Sequence, residues 1–224
     1  MPPAPPIYPP AGYTAYQGVA GGPTRPTAGV RNATVILFWV TSASALLLGL
    51  VAYQRGGVID DFFSGDHSLS DVKDADGRVA GAFLLLLAAQ IAAAVLIAIW
   101  SSRTVGNAKS RGADASSGLA AGGWFIPIGN YWVPWGQLAK AAGRFGKVPS
   151  SLRIWQALFI GQAVLSFIAR VAVSDFDSTT STDDAVSSFH NQGLLFLGTG
   201  VALIIATVFA SKAMKEVDKL TTPS

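Results

Sequence analysis

The chain has 224 residues, of which 50% are hydrophobic and only 13% are charged. A soluble domain carries about 25% charged residues, so this composition excludes an ordinary soluble domain and indicates that lipid surrounds the protein. No cysteine is present, which excludes disulfides and thiolate chemistry. The net charge of +3 comes from residues that flank hydrophobic runs, so no nucleic-acid partner is expected.

Residues 1–30 consist largely of proline, glycine and alanine, with Tyr8, Tyr13 and Tyr16 between them. Such a segment cannot bury an apolar core, so the sequence predicts a disordered tail with polyproline II character. Two functions stay open for it. It is either a plain solvated tail, or a tail whose tyrosines and proline pairs bind a protein partner or another copy of the chain.

Four long apolar runs follow the tail, and each is close to the roughly 20 residues that a helix needs to cross the hydrocarbon core. They cover residues 33–53, 79–100, 152–173 and 193–210. The sequence therefore predicts an all-α integral membrane helical bundle with four transmembrane helices. The expected divisions of the chain are a tail at 1–30, a four-span membrane domain at 31–215 and a short cytoplasmic tail at 216–224.

The charges between the runs alternate in sign along the chain. The connections at 54–78 and 174–192 are rich in aspartate, whereas the connection at 101–151 and the stretch after residue 210 are rich in lysine and arginine. Positive residues flank spans on the cytoplasmic side. We therefore expect a multi-pass protein of the cell membrane, in contact with membrane lipids, with both termini and the middle connection in the cytoplasm.

The middle connection contains the least helix-like stretch of the chain, WFIPIGNYWVPW at residues 124–135, called the aromatic segment below. Pro127 and Pro134 each remove a backbone donor and interrupt a helix, and the freed backbone groups need other partners. Tryptophan and tyrosine favour the headgroup depth. Because basic residues lie on both sides, we expect a re-entrant or interfacial segment on the cytoplasmic side. The alternative is a fifth crossing at residues 119–138.

Polar side chains inside the predicted spans are costly in lipid and are candidates for function. Gln90 lies near the middle of the second span. One face of the third span carries Gln162, Ser166 and Arg170 at helical spacing. Two interpretations stay open. Either these groups make structural hydrogen bonds between helices while Arg170 reaches the interface, or they line a cavity that admits a solute from outside.

Two short motifs of the chain resemble the signature of a known family. The motifs have the forms W-x-x-R-x-x-x-N and G-W-[WF]-x-P-x-x-N-x-x-x-P, and the matched positions are Trp100, Arg103, Asn107, Trp124, Pro127, Asn130 and Pro134. The family is a bacterial, mostly actinobacterial, multi-span membrane family of unknown function, and the resemblance covers roughly residues 35–215. It implies a membrane fold and a site at the signature, but no activity. After Pro134 the chain departs from the family's usual pattern, which leaves the orientation of the next helix open.

Arg103 and Asn107 lie four residues apart, on one face of the extension of the second span. The proline-interrupted aromatic segment leaves carbonyl groups unpaired, and we expect Arg103, Asn107 and Asn130 to form one network with them. This network is interpreted either as a polar lock that holds the segment or as a polar pocket at the cytoplasmic interface.

The sequence contains no HExxH, GxSxG, P-loop or GxGxxG pattern, and two histidines without cysteine do not form a standard zinc site. We therefore expect no enzymatic activity, no cofactor and no resident metal. The favoured function is a non-enzymatic envelope scaffold or partner-recruiting component that acts through the N-terminal tail or the aromatic segment. The alternative is a small transporter, channel subunit or membrane sensor that uses the polar face of spans two and three. Association into a homo-oligomer is also open.

Overall fold

The computed structural model describes residues 24–173 and 181–222. The described chain folds into α1 (Ala28–Ser64), α2 (Leu69–Ser110), α3 (Ser117–Gly122), two 3-10 turns (Gly123–Phe125 and Gly129–Tyr131), α4 (Val133–Gly143), α5 (Ser150–Val173) and α6 (Thr182–Thr221). These described residues contain no β-strand, so the prediction of an all-α fold is confirmed.

Three of these helices are long and apolar enough to cross a membrane, namely α1, α2 and the Val186–Thr221 part of α6. Their outward surfaces are apolar, and Ile36, Leu84 and Val201 are each more than half exposed. Such a surface is expected where lipid rather than water surrounds a helix. Three of the four predicted spans therefore have a fitting helix. The fourth, on α5, stays a prediction, and the side chains of residues 168–173 lie outside the described residues.

The helices continue well beyond the apolar runs. The acidic connection predicted at 54–78 is instead the end of α1 and the start of α2, joined by a turn at 65–68. Gly65 has a φ of +87°, the left-handed conformation that commonly ends a helix. The backbone N–H of Ser68 donates to a carboxylate oxygen of Asp71 at 2.8 Å and completes a capping box that starts α2. Helix-terminating residues, rather than charge, set the length of this connection.

The structure also shortens both predicted tails. Helix α1 begins at Ala28, inside the stretch predicted as tail. Residues 1–23, which carry most of the disorder prediction, lie outside the described residues. At the other end α6 continues to Thr221, and Val217 and Thr221 are fully buried. The described part of the stretch predicted as a tail at 216–224 thus belongs largely to α6 and extends its buried face into the packed core.

Helix α1 packs along both α2 and α6, and α5 packs on α6. The two short helices α3 and α4 cover the end of α2. We use the name basic end for the end of the bundle formed by the start of α1, the end of α2, helices α3 and α4, and the end of α6. Most of the lysines and arginines of the chain lie here, and so do most residues of the predicted signature.

Helices α1 and α6 approach closely because glycines lie in their contact. A Cβ atom built at Gly193 of α6 would lie 2.6 Å from backbone atoms of Tyr53. A Cβ atom at Gly49 of α1 would lie 2.6 Å from the backbone nitrogen of Leu197. Small residues permit this kind of approach between membrane helices, and the close packing fixes the relative position of the two helices.

We predict that Gly193→Ala lowers the thermal unfolding midpoint of the protein in detergent. The new methyl group would overlap the backbone of Tyr53, and overpacking typically costs about 1–3 kcal/mol. Gly198→Ala on the same helix is the matched control, because a Cβ atom there meets nothing within 4 Å. Alanine also favours a helix over glycine, so this control should be neutral or slightly stabilising. Equal midpoints for the two variants would contradict the close contact.

Candidate functional site

A buried carboxylate, Asp218 on α6, joins three helices at the basic end and is only 4% exposed. Its Oδ2 pairs with the Arg31 guanidinium of α1 at 3.0 Å, and its Oδ1 accepts a hydrogen bond from Trp100 Nε1 of α2 at 3.0 Å. Thr104, one turn further along α2, donates to Oδ1 at 3.3 Å. Burying a carboxylate is costly unless it is paired and hydrogen-bonded, and here both oxygens have donors. These four residues are called the Asp218 node.

Next to the node, α2 holds the backbone of the segment that leads into α1. The Asn107 side chain makes two hydrogen bonds with Arg25. Its Oδ1 accepts from the backbone N–H at 2.8 Å, and its Nδ2 donates to the carbonyl at 2.9 Å. Arg103 Nη1 donates to the carbonyl of Pro26 at 3.1 Å. This arrangement, called the Asn107 clasp, fixes the point where the N-terminal segment meets the bundle.

This geometry corrects the network predicted among Arg103, Asn107 and Asn130. Arg103 and Asn107 do act from one face of α2, but the carbonyl groups they bind belong to Arg25 and Pro26 rather than to the aromatic segment. The same physical reason applies to both segments, because Pro26 also interrupts regular backbone pairing. Asn130 has a buried Oδ1 without a hydrogen-bond partner in the described part of the chain.

Ser101 connects α2 to the aromatic segment. Its hydroxyl oxygen accepts a hydrogen bond from Trp124 Nε1 at 2.9 Å. The Trp124 ring then packs against Trp135 of α4 and Trp155 of α5, with ring centroids 5.3 and 6.4 Å apart. Phe159, one turn further along α5, lies 6.0 Å from the Trp124 ring in an edge-to-face arrangement. The aromatic segment is therefore a packed cover over the basic end, which also holds α5.

The aromatic segment does not form a helix of spanning length. The longest helix that includes residues of the segment is α4, which has 11 residues. Pro134 lies in its first turn, where a missing backbone donor is harmless. At Ile128 the backbone has a φ of +63°, and the Gly129 N–H donates to the Pro127 carbonyl at 2.6 Å. This tight three-residue turn is strained for a β-branched residue.

Large apolar side chains around this turn point away from the core. The exposed members are Phe125, Ile126, Ile128 and Trp132, and they are called the apolar lip. Each is at least 45% exposed, and Ile128 reaches 72%. Exposed large apolar residues grouped within eight positions of the chain are typical of surfaces that contact a membrane or a protein.

Beneath the aromatic segment, a cavity of about 290 Å³ lies between α1, α2, α5 and α6. Gln90 and Gln162, both predicted as intramembrane polar residues, line it together with Trp124 and Asn130 of the predicted signature. The structure thus brings together residues from two groups that the sequence analysis treated separately. The side chains of the other two predicted polar residues, Ser166 and Arg170, lie outside the described residues.

Asp218, the centre of the node, is not among the predicted site residues, because it lies among lysines after the last apolar run. A signal was nevertheless present. The buried positions Ala210, Met214, Val217 and Thr221 recur every three or four residues, so the apolar face of α6 continues past residue 210. Asp218 lies four residues after Met214 and therefore falls on that face.

The described residues form an all-α protein with three helices long and apolar enough to cross a membrane, and residues of the predicted signature join its elements at the basic end. Residues 64–219 match the family described as a domain of unknown function, DUF4328, and the chain belongs to that family. This confirms the resemblance to a family of unknown function. No curated protein and no solved structure matches the chain. Asp218 and the α2 residues of the clasp fall within the matched region, whereas Arg25 and Arg31 precede it.

We predict that Asp218→Asn lowers the thermal unfolding midpoint in detergent. The amide removes the charge that pairs with Arg31, and loss of one partner of a buried polar contact costs about 1–3 kcal/mol. Asp114→Asn is the matched control, because Asp114 is exposed and its replacement should change little. Arg31→Ala combined with Asp218→Asn should destabilise by less than the sum of the single changes, since both act on one pair. Fully additive losses would show that the pair does not contribute.

Proposed function

We propose that the protein is a non-enzymatic component of the cell membrane that recruits partner proteins through the segment before α1. The observation that carries this proposal is the Asn107 clasp, in which two side chains of α2 bind the backbone of Arg25 and Pro26. The clasp holds the C-terminal end of a segment rich in proline, glycine and tyrosine. Such composition is typical of segments that bind other proteins.

The clasp is suited to this function because it binds backbone atoms. Tyr8, Tyr13 and Tyr16, the recognition groups that the tail offers, precede the clasped residues in sequence. A fixed attachment point also keeps a tail-bound partner at high effective concentration beside the membrane surface of the bundle. The Asp218 node fixes the chain shortly after the clasp, since Arg31 of the node lies six residues after Arg25.

In this proposal the basic end lies in the cytoplasm, the 65–68 turn lies outside, and α5 is the fourth span. Lysines and arginines concentrate on the cytoplasmic side of membrane proteins, which supports this orientation. The apolar lip, together with the basic residues Lys140 and Arg144 nearby in sequence, suits a segment that enters the headgroup region from the cytoplasmic side. This is the interfacial arrangement expected for the aromatic segment.

We predict opposite labelling of two single-cysteine variants, which is a clean test because the native chain has no cysteine. Ser68→Cys, in the turn between α1 and α2, should react with a membrane-impermeant thiol reagent on intact cells. Ser110→Cys, at the end of α2, should react only after the membrane is permeabilised. The reverse pattern would place the basic end outside and remove the recruiting function from the cytoplasm.

The recruiting function predicts that partner binding depends on both the tail and its clasp. Three proteins are compared after crosslinking and affinity purification from native membranes: the full chain, the full chain with Asn107→Ala, and a chain without residues 1–24. We expect proteins that crosslink to the full chain to be lost on deletion and reduced by Asn107→Ala, which removes both hydrogen bonds to Arg25. Lys109→Ala, an exposed change two residues away, is the control. An unchanged set of partners after deletion would overturn the proposal.

A second candidate function is a small transporter, channel subunit or membrane sensor. The observation that favours it is the cavity, because Gln90 of α2 and Gln162 of α5 line the same space. Reconstituted protein in liposomes would reveal transport as flux of small neutral solutes that Gln90→Leu and Gln162→Leu together abolish. A flux equal to that of protein-free liposomes would contradict transport by the protein, and only the function as a membrane sensor would remain.

A further inference from the structure

Three carboxamide side chains line the cavity beneath the aromatic segment. Gln90 comes from α2, Gln162 from α5 and Asn130 from the aromatic segment. Gln90 is exposed and Gln162 is half-buried. The Oδ1 of Asn130 is buried and has no hydrogen-bond partner in the described part of the chain. By contrast, the hydroxyl of Thr41, which also lines the cavity, is bonded to the Leu37 carbonyl at 2.8 Å.

The buried Asn130 oxygen calls for a partner that the described part of the chain does not supply. An amide without a hydrogen bond in an apolar environment costs several kcal/mol, and water is scarce at bilayer depth. Gln90 lies ten residues before Trp100, so it is about 15 Å along α2 from the node. The described lining contains no ionisable side chain, which disfavours a charged ligand. A carboxamide offers both donors and an acceptor, so a neutral ligand with polar oxygens would satisfy it.

Aromatic rings form the walls of the same cavity. Phe38 of α1, Trp124 of the aromatic segment, and Trp155 and Phe159 of α5 all line it. Phe38 and Trp155 pack edge to face with centroids 6.0 Å apart, so the walls are held in place by their own contacts. Aromatic faces and edges bind flat rings in stacked or edge-to-face geometry. The aromatic lining of the cavity therefore favours binding of a ligand with a ring over one with only a flexible chain.

The size and position of the cavity further restrict the range of ligands that could bind. Its volume is about 290 Å³. An engineered apolar cavity of about 150 Å³ binds benzene, so this one has room for roughly two fused rings. In the described chain α5 packs on α6 and makes no extensive contact with α2, and Gln90 between them is exposed. A ligand dissolved in the bilayer can thus enter laterally between these two helices.

We propose that this cavity is a binding site for a neutral, flat, bicyclic lipid whose ring carries hydrogen-bonding oxygens, the chemistry of the naphthoquinone class. The ring lies between Trp124, Trp155 and Phe159, and its oxygens bond to the carboxamides of Gln90, Gln162 and Asn130. An apolar tail on the ring extends into the bilayer between α2 and α5. The site is independent of the tail and the clasp, so it goes beyond the recruiting function.

The test measures binding of radiolabelled menadione, a neutral naphthoquinone, to the full chain in phosphatidylcholine nanodiscs. Saturable binding is expected, and it should survive deletion of residues 1–24, which separates this site from the recruiting function. Ala94→Phe fills the cavity and should abolish saturable binding. Val95→Phe is the matched control, because the adjacent side chain is 45% exposed on the outer face of the same helix and does not line the cavity.

Conservative changes keep the test valid if Ala94→Phe fails to fold. Gln90→Leu and Gln162→Leu should each weaken binding by about two- to tenfold, the effect of one lost hydrogen bond. Naphthalene, which has the rings without oxygens, should compete weakly, and 1-decanol, which has an oxygen without rings, should not compete. Equal competition by 1-decanol would show that the cavity merely accommodates acyl chains. Absence of saturable binding, or full binding to both glutamine variants, would also overturn the proposal.

Discussion

The buried carboxylate of Asp218 is the constraint on which the basic end depends. A carboxylate that is 4% exposed must have partners, and its partners come from α1 and α2, more than 100 residues away in sequence. The pairing fixes the start of α1 and the end of α6 relative to the end of α2. Because Asn107 lies only three residues after Thr104 of the node, the same turn of α2 that completes the node also binds the backbone before α1. The contacts that hold the helices together and those that hold the N-terminal segment thus come from the same part of α2.

The two halves of the signature have different structural roles that meet at α2. Trp100, Arg103 and Asn107 bind the carboxylate and the N-terminal segment, whereas Trp124 and Pro134 build the aromatic cover. Ser101, adjacent to Trp100, joins the halves through its hydrogen bond with the Trp124 ring. The cover in turn lines the cavity, so a short series of neighbouring residues connects the node with the cavity. The links are Trp100, Ser101 and Trp124.

Local and compositional information predicted a large part of this structure. Apolar runs long enough to span lipid gave the helices, Pro127 and Pro134 marked where regular helix stops, and Gln90 and Gln162 marked the cavity. The misses have a common cause. Asp218, Arg25 and Arg31 look like solvated or disordered residues until distant helices bring their partners, and nothing local to them records those partners. The predicted lock failed for the same reason. Two proline-interrupted segments offered carbonyl groups to Arg103 and Asn107. In the folded chain these side chains bind the segment before α1.

The apolar runs of the long helices match the thickness of a bilayer, and charged pairs lie beyond both of their ends. Helices α1, α2 and α6 have 37, 42 and 40 residues, but their apolar runs contain only 21, 22 and 18. At about 1.5 Å per residue these runs are about 27–33 Å long, which matches an average hydrocarbon core. The pair between Arg55 and Asp76 lies just beyond one end of the runs, and the Arg31–Asp218 pair lies beyond the other. In a bilayer of average thickness these pairs would lie beyond the edges of the hydrocarbon, and a thicker bilayer would draw them toward it at a cost of fractions of a kcal/mol per Å of mismatch.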